Sequence, residues 1–247
     1  MKNLRKRLAC LLLSALLLIG CLPVTALAAE NGFILVVEAG GKLVIAPEYI
    51  SCTAGQTAAQ ALSASGHTFT GLDTGMISAI DGVTGNFTRS DENGNYDLSV
   101  SAASIGYLRF SEDMDSKPSD GLKQLMTAMA DYKKKGSDVQ AAAKKEYDTA
   151  SDLFVGINSE SAKTLASNLN DAVRNYENTL TGEHYAVRFT DGSAAYSDDN
   201  YHGVSITAVN AYGKQWTDDG DGVLELPKGD YTCLLYTSPS PRDRQKS

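Results

Sequence analysis

The stretch FILVVEAGGKLVI, residues 33–45, places two short apolar runs on either side of the pair Gly40-Gly41. Apolar runs of this length are typical of β-strands, and both glycines can adopt the positive φ that a tight hairpin turn requires. The sequence therefore predicts a β-hairpin at this point of the chain.

The residues after this hairpin mix one helix with further strands. Residues 56–65 have a helical pattern that Gly66 can end in a left-handed cap, and residues 76–83 and 105–110 are predicted strands. The order strand, strand, helix, strands predicts an α+β roll of the β-grasp kind over residues 31–115.

Two stretches in this segment resemble a known family. They are AGQTAAQAL (residues 54–62) and MISAIDG (residues 76–82), and they are similar to the extracellular β-grasp domain related to the C-terminal domain of transcobalamin. That domain recurs in large surface proteins of Gram-positive gut anaerobes, and the resemblance covers residues 33–110. The family often ends in a Trp-containing strand, whereas residues 105–110 (IGYLRF) contain no Trp. The resemblance thus implies an extracellular binding domain without implying cobalamin, and no cofactor is predicted.

Residues 119–181 show helical periodicity throughout. Apolar residues recur at i, i+3, i+4 and i+7 in three stretches, which predicts a three-helix bundle whose stripes face one another. The three stripes are Leu122, Leu125, Met126 and Met129; Val139, Ala143, Tyr147, Ala150 and Phe154; and Ala162, Leu165, Ala166, Leu169, Val173, Tyr176 and Leu180. Breaks fall at Gly136-Ser137 and at residues 156–159, with Asp138 and Ser159 as predicted N-caps. The bundle resembles the helical spacers of bacterial surface adhesins, an architectural likeness that implies no activity.

Residues 183–232 return to alternating strands and Gly-containing turns, such as Asp191-Gly192 and Asp221-Gly222. This alternation of strands and turns predicts an antiparallel β-sandwich. Residues 217–232 are similar to the late strands of Ig-like and peptidase-regulatory-like sandwiches. Because such domains continue with further strands, we expect a truncated sandwich with an unpaired edge.

The tail CLLYTSPSPRD, residues 233–243, resembles the translated end of a transposon-based sequencing adapter. Residues 233–247 are therefore predicted to be an artefact, and residues 1–232 to be the N-terminal fragment of a longer reading frame. We expect this tail to pack poorly, with few apolar contacts.

Residues 1–28 have the three parts of a secretory signal peptide. Basic residues precede an apolar core at residues 8–20, and Ala26-Leu27-Ala28 forms a small-residue cleavage site. Lipidation of Cys21 is a second interpretation of the same region. The sequence predicts a secreted or cell-surface protein, with no transmembrane segment after the signal peptide.

The charge of the chain excludes one class of partner. The formal charge is -8, the signal peptide holds four positive charges and the tail a net two, so residues 29–232 carry -14. A protein with this negative charge repels the phosphate backbone of nucleic acids, so no nucleic-acid partner is predicted. Once the signal peptide and tail are set aside, Cys52 is the remaining cysteine; it forms no intramolecular disulfide and is predicted to be a small buried hydrophobe.

Two acidic stretches raise the question of a metal site. In residues 91–97, alternating Asp and Asn resemble the first ligands of a calcium loop, but Tyr96 and Ala102 stand where an EF-hand has its Gly and Glu. We predict an exposed hairpin turn there, a turn also at residues 218–221, and no metal.

Motifs that carry catalysis are missing from the sequence. His67, His184 and His202 are scattered, and none belongs to a His-Glu-x-x-His motif. There is no Gly-x-Ser-x-Gly elbow and no phosphate-binding Gly-rich loop. This pattern favours binding over catalysis, and no catalytic residue is predicted.

Aromatic residues are the candidate ligand contacts, because their rings combine apolar area with a polar edge. Those of interest are Tyr107, Tyr185, Tyr196, Tyr201, Tyr212 and Trp216. Tyr196 and Tyr201 flank a polar loop and are the predicted site residues.

Together these features predict the N-terminal fragment of a modular bacterial protein that is secreted or displayed on the cell surface. Its predicted function is adhesion or the binding of an extracellular glycan, peptide or small molecule. One alternative is a set of accessory domains for an extracellular hydrolase whose catalytic domain lies further along the gene. Another is capture of a corrinoid by residues 30–115.

Overall fold

The computed structural model describes residues 31–92, 94, 97–112, 117–192, 194, 196–197 and 204–237. Over these residues the chain has a multidomain α+β fold, in which a helical segment separates two groups of strands, as the sequence predicts. None of the described helices combines the length and apolar character needed to cross a membrane.

The first group of elements forms a roll, in which a short two-stranded hairpin replaces the single strand predicted at residues 76–83. Its elements are β1 (Gly32–Ala39), β2 (Lys42–Ser51), α1 (Ala58–Ser63), β3 (Phe69–Thr70), β4 (Ala79–Ile80), β5 (Val83–Thr84), β6 (Thr88–Asp91) and β7 (Tyr107–Ser111). The main sheet has the strand order β2-β1-β7-β6, with β1 antiparallel to β2 and parallel to β7. A hairpin, a helix and a return strand parallel to the first strand make the β-grasp arrangement. Gly40 and Gly41 turn the β1–β2 hairpin with φ of +58° and +72°, which confirms its predicted position.

Strand β1 is buried on both faces of this sheet. Phe33, Leu35 and Val37 join the core under α1, while Ile34 and Val36 join a second core on the opposite face. Because a strand's side chains alternate between the two faces, a continuous apolar run is what burial on both sides requires. The apolar run in the sequence therefore reflects a sheet covered on both sides along this strand.

Helix α1 starts with a capping box. The Thr57 hydroxyl accepts a hydrogen bond from the Gln60 backbone N–H, and the Gln60 side chain accepts one from the Thr57 backbone N–H at 2.9 Å. These bonds satisfy two N–H groups that have no partner within the helix. The helix is two residues shorter at each end than predicted, and Gly66 follows it with φ of +89°.

The helical segment consists of α2 (Asp120–Lys133), α3 (Ser137–Asp152) and α4 (Ser159–Leu180). All three predicted apolar stripes contribute to one core, whose fully buried members include Leu125, Met129, Phe154 and Leu169. The bundle prediction is thus confirmed, and it rests on the i, i+3, i+4, i+7 spacing alone.

The predicted N-caps of α3 and α4 are wrong by one or two residues. Gly136 caps α3 and Asn158 caps α4, where the Asn158 side-chain oxygen accepts from the Ser161 N–H at 2.9 Å. The Asp138 carboxylate lies within the first turn of α3 and accepts a 3.3 Å hydrogen bond from the Tyr176 hydroxyl of α4. A contact between helices, rather than a local cap, therefore engages this carboxylate.

The bundle packs on the sheet. Its apolar stripes are therefore buried by the sheet as well as by one another. Val36 of β1 and Tyr107 of β7 belong to the same buried core as Leu125 and Met129 of α2. The main sheet is consequently covered by α1 on one face and by α2 on the other.

Two lysines at the end of α2 reinforce this packing. The Lys133 ammonium donates to the Ala46 carbonyl of β2 at 3.0 Å, and the Lys134 ammonium lies 3.6 Å from the centre of the Tyr49 ring. A cation over an aromatic face is attracted by the ring quadrupole. The edge strand β2 is therefore tied to the bundle by polar as well as apolar contacts.

The second group of strands forms two small sheets. Its elements are β8 (His184–Arg188), β9 (Val204–Asn210), β10 (Gln215–Thr217), β11 (Val223–Pro227) and β12 (Tyr231–Thr237). Strand β8 pairs with β11, and β9 lies between β10 and β12. The sheets share a small core of Ile206, Ala208, Leu224 and Leu226. Strand β8 shows the predicted alternation, but its side chains remain exposed.

The acidic stretch near residue 220 is a turn, as predicted. One oxygen of Asp218 accepts from the Ile206 N–H and the other from the Gly222 N–H, both at 3.2 Å. The Asp221 carboxylate accepts from the Val223 N–H at 2.8 Å. These carboxylates satisfy backbone donors, which is the ordinary use of Asp in turns.

The other acidic stretch differs from the prediction at Asp91, which is buried at the end of β6 instead of lying in an exposed turn. Residues 93, 95 and 96 lie outside the described part of the chain. Within the described part, no group of three or more His, Cys, Asp or Glu side chains could hold a metal ion. Cys52 is partly buried against the core under α1.

Strand β12 crosses from Tyr231 into the adapter-like tail. Residues 231–237 form an antiparallel ladder with β9, so the edge of β9 that was expected to be unpaired is covered. The side chains of Leu234, Leu235 and Tyr236 are exposed, in agreement with the expected poor packing. Backbone pairing needs no particular side chains, which is why any extended segment can add to an open edge.

A buried ion pair joins the two central strands. The Arg109 guanidinium of β7 donates to both oxygens of Glu38 on β1, at 2.6 and 3.1 Å, and the two side chains are 8% and 7% exposed. Two parallel hydrogen bonds between a guanidinium and a carboxylate form a strong interaction. Each buried charge nevertheless depends on the other to offset its desolvation.

Replacing Arg109 with Met is expected to lower the free energy of unfolding by about 3–5 kcal/mol, because it leaves the Glu38 carboxylate buried without its partner. Urea unfolding followed by circular dichroism measures the change. The double variant Glu38→Leu/Arg109→Met should recover part of the loss, since it removes both charges of the pair.

The exposed pair Lys144–Asp148 on α3, with a 2.6 Å contact, is the matched control. Lys144→Met should leave the free energy of unfolding almost unchanged, because solvent screens an exposed ion pair. Equal losses for Arg109→Met and Lys144→Met would contradict a structural role for the buried pair.

Candidate ligand-binding cleft

A cleft of about 520 Å³ lies between the helical bundle and the second group of strands. This volume falls within the range of about 300–1,000 Å³ that is usual for small-molecule sites, and boundaries between domains are common places for such sites. Helices α3 and α4 form one wall, and the β9–β10 and β11–β12 turns form the other. The lining residues are Ala142, Glu146, Ala172, Asn175, Tyr176, Thr179, Leu180, Asn210, Ala211, Tyr212, Pro227, Lys228, Gly229, Asp230 and Tyr231.

Tyr176 anchors the helical wall. Its hydroxyl donates to Asp138 at 3.3 Å and accepts from the Asn210 side-chain N–H at 3.0 Å. Burial raises the pKa of Tyr176, and the Asp138 carboxylate acts in the same direction, while the bond from Asn210 acts against them. The hydroxyl therefore stays neutral at physiological pH and links α4 to the β9–β10 turn.

Asn210 also shapes the turn that carries Tyr212. Its side-chain oxygen accepts from the backbone N–H groups of Tyr212 and Lys214, both at 3.0 Å. The Tyr212 ring then meets the Tyr176 ring edge to face, with centroids 4.9 Å apart and planes at 73°. Tyr212 is thereby held in place while 43% of its surface stays exposed.

Tyr231 secures the opposite wall. Its hydroxyl donates to the Pro227 carbonyl at 2.7 Å, and its ring makes an edge-to-face contact with Trp216 at 5.3 Å between centroids. Burial raises the pKa of Tyr231. The β11–β12 turn that forms the rim is thus held closed by side chains of its own domain.

The rim differs from this framework because several of its polar groups have no partner in the part of the chain that the structure describes. Among the described residues, no hydrogen bond or ion pair engages the side chains of Glu146, Asn175, Lys228 and Asp230, or the Tyr212 hydroxyl. The cleft therefore combines a rigid aromatic framework with polar groups that are available to a ligand.

The aromatic residues predicted as ligand contacts differ in location and burial. Tyr196 is half-buried against the second group of strands, with its backbone N–H bonded to the Phe189 carbonyl at 3.0 Å, and Tyr201 lies outside the described residues. Tyr107 is buried in the core between sheet and bundle, and Tyr185 is exposed on β8.

Tyr212 is the residue of the predicted aromatic set that lines the cleft. Tyr176 and Tyr231 also line it, but the sequence pattern places Tyr176 in the bundle core and indicates no role for Tyr231. No local signal marks either residue, because the cleft exists only where two domains meet.

A second polar centre lies on the β-grasp domain around His67. One ring nitrogen, Nδ1, is 2.7 Å from Asp81, and the other, Nε2, contacts Glu48. The Lys133 ammonium of α2 lies 3.1 Å from the second oxygen of Glu48, and the Thr68 N–H donates to Asp81 at 2.8 Å. The histidine that looks isolated in the sequence is therefore held between two carboxylates.

These contacts shift all three pKa values. Burial alone would lower the pKa of His67, but its hydrogen bonds to Glu48 and Asp81 outweigh burial and raise the pKa above 6.5. Burial acts to raise the pKa of Glu48, yet the bonds from His67 and Lys133 lower it overall. The pKa of Asp81 is likewise lowered, since the bonds from Thr68 and His67 outweigh burial.

The geometry makes His67 a structural cation. Both ring nitrogens face carboxylates, so both must donate and the imidazolium is the favoured form. Neither nitrogen is free to accept a proton from a substrate, and the carboxylates lie on opposite sides of the ring instead of converging on one point. The arrangement suits neither a general base nor a metal site.

Comparison with known proteins adds no assignment: no protein-family model, curated protein or solved structure matches this chain.

The His67 centre predicts a specific pH dependence of stability. The raised pKa of His67 contributes stability that is complete below pH 6.5 and is lost as the pH rises through the folded-state pKa. The lowered pKa values of Glu48 and Asp81 contribute stability above about pH 4.5, lost as the pH falls through their folded-state values. We expect His67→Gln to cost about 1–3 kcal/mol near pH 5.5 and clearly less at pH 9.

Urea unfolding at a series of pH values measures this difference, and an NMR titration of the imidazole gives the pKa of His67 directly. The control is His184→Gln, since His184 is exposed and its only side-chain hydrogen bond among the described residues is to the Leu180 carbonyl. A His67 pKa at or below 6.5 would rule out the imidazolium bridge.

Proposed function

We propose that this chain is a non-catalytic binding module of a secreted or cell-surface protein, acting in adhesion or in the capture of an extracellular ligand. The observation that carries the proposal is the contrast within the cleft between hydrogen-bonded framework groups and rim groups that have no partner among the residues the structure describes. A site of this kind can bind a ligand without rearranging, which reduces the entropy lost on binding.

Features of the sequence support the location. Residues 1–28 have the pattern of a signal peptide, and residues 29–232 are strongly acidic, which suits a solvated extracellular protein. The resemblance of residues 33–110 to an extracellular β-grasp domain points the same way.

The chemistry of the two polar centres supports binding over catalysis. A catalytic base needs a free lone pair within reach of a substrate, and both nitrogens of His67 are engaged. The cleft itself presents carboxylates, an amide and an ammonium without a histidine or cysteine among its lining residues. These groups are suited to holding a ligand by hydrogen bonds.

The proposal predicts that ligands bind at the cleft through Tyr212. The full chain would be screened by thermal unfolding against soluble oligosaccharides, short peptides and corrinoids, the three classes that the sequence leaves open. A ligand present at 100 times its Kd should stabilise the protein by about 2.7 kcal/mol, or roughly 5–10 °C in Tm. Tyr212→Ala should abolish the shift by removing the exposed ring.

Tyr185→Ala is the matched control, because Tyr185 is 48% exposed, close to the value for Tyr212, and is not among the residues that line the cleft. Two outcomes would overturn the proposal: no class of ligand shifts the Tm, or the shift survives in Tyr212→Ala. Chromatography of each bound ligand after incubation checks the non-catalytic part, which fails if the ligand is converted to a product.

A further inference from the structure

We propose that the ligand of the cleft is a neutral saccharide, bound through its hydroxyl groups and through one apolar ring face. This inference rests on the proposed function, since it names the ligand class for the same site. Some polar side chains of the cleft already form hydrogen bonds within the protein, whereas others can form them with a ligand.

Most of the hydrogen-bonding capacity of the framework groups is already used within the protein. The Tyr176 hydroxyl has a donor and an acceptor partner, and the Asn210 side chain makes three hydrogen bonds. The Tyr231 hydroxyl is bonded to Pro227. Recognition of a ligand therefore depends mainly on the rim groups.

The rim groups are mainly hydrogen-bond acceptors. The carboxylates of Glu146 and Asp230 can only accept, and the ammonium of Lys228 can only donate. The amide of Asn175 and the hydroxyl of Tyr212 can do both. A suitable ligand must therefore carry several donors. Neighbouring hydroxyls of a sugar meet this need, because two of them can donate to the two oxygens of one carboxylate.

The charge of the rim argues against anionic ligands. Glu146 and Asp230 outnumber Lys228, so the lining carries a net charge of about -1 and the surrounding chain is acidic as well. Phosphates, sulfates and uronic acids would be repelled. A neutral sugar meets no such penalty.

Tyr212 supplies the apolar part of the site. Its ring is oriented by the edge-to-face contact with Tyr176, and its exposed surface borders the cleft. The C–H face of a pyranose ring is apolar and can cover an aromatic ring, which removes both surfaces from water. Because a tyrosine side chain has few rotatable bonds, this contact loses little conformational entropy.

A proline-rich peptide suits the cleft less well, although such peptides often bind aromatic grooves. Proline has no N–H, so the peptide presents mostly carbonyl acceptors, and these would face the acceptors of Glu146 and Asp230. A basic peptide would be attracted by charge and is the competing outcome of the test.

The test measures binding of the labelled full chain to an array of immobilised neutral oligosaccharides, beside sulfated and sialylated ones and a set of basic peptides. We expect binding to at least one neutral oligosaccharide and weaker binding to its charged derivatives. Tyr212→Ala should weaken this binding at least tenfold. Asp230→Asn, which keeps the shape but removes the charge, should weaken it about tenfold.

The matched controls are Tyr185→Ala and Asp219→Asn, both at exposed positions outside the cleft lining, and they should leave binding unchanged. Binding to no neutral oligosaccharide, or equal losses in the controls, would overturn the saccharide assignment. If a basic peptide binds instead and loses affinity in Tyr212→Ala, the saccharide assignment fails while the proposed binding function stands. If Tyr212→Ala affects no ligand of any kind, both fail.

Discussion

The double burial of strand β1 is the constraint on which the other parts of the structure depend. Its side chains point alternately to two cores, so each face of the sheet needs a cover. Helix α1 covers one face and α2 the other. Glu38 lies on the same strand, and its charge is tolerated because Arg109 on the neighbouring strand neutralises it with two hydrogen bonds.

This constraint reaches the cleft through the bundle. Because α2 lies on the sheet and α4 packs on α2, the position of α4 is set by the sheet. Tyr176 of α4 then bonds to Asn210, which orients the turn carrying Tyr212. The geometry of this part of the cleft is therefore decided by packing that begins in a different domain.

The His67 cluster and the rim of the cleft differ in whether their polar groups already have hydrogen-bond or ion-pair partners. Around His67 every charged partner is engaged, and the imidazolium joins β2, the β4–β5 turn and, through Glu48, the end of α2. Such a network stabilises the fold and leaves nothing for a ligand. At the cleft rim the polar groups have no partner among the described residues, which is what a binding site requires before its ligand arrives.

The sequence by itself determined the features that depend on neighbours along the chain. Two apolar runs around Gly40-Gly41 were enough for the hairpin, and the spacing of apolar residues was enough for the three helices, because period and turn chemistry are local properties. Helix ends were less certain, since Asp138 could cap a helix or bond across to Tyr176. Only the tertiary structure decided which distant side chains meet. His67 lies 19 and 14 residues from its two carboxylates, and the cleft joins helices to turns of another domain, so both depend on how whole elements pack and not on local pattern.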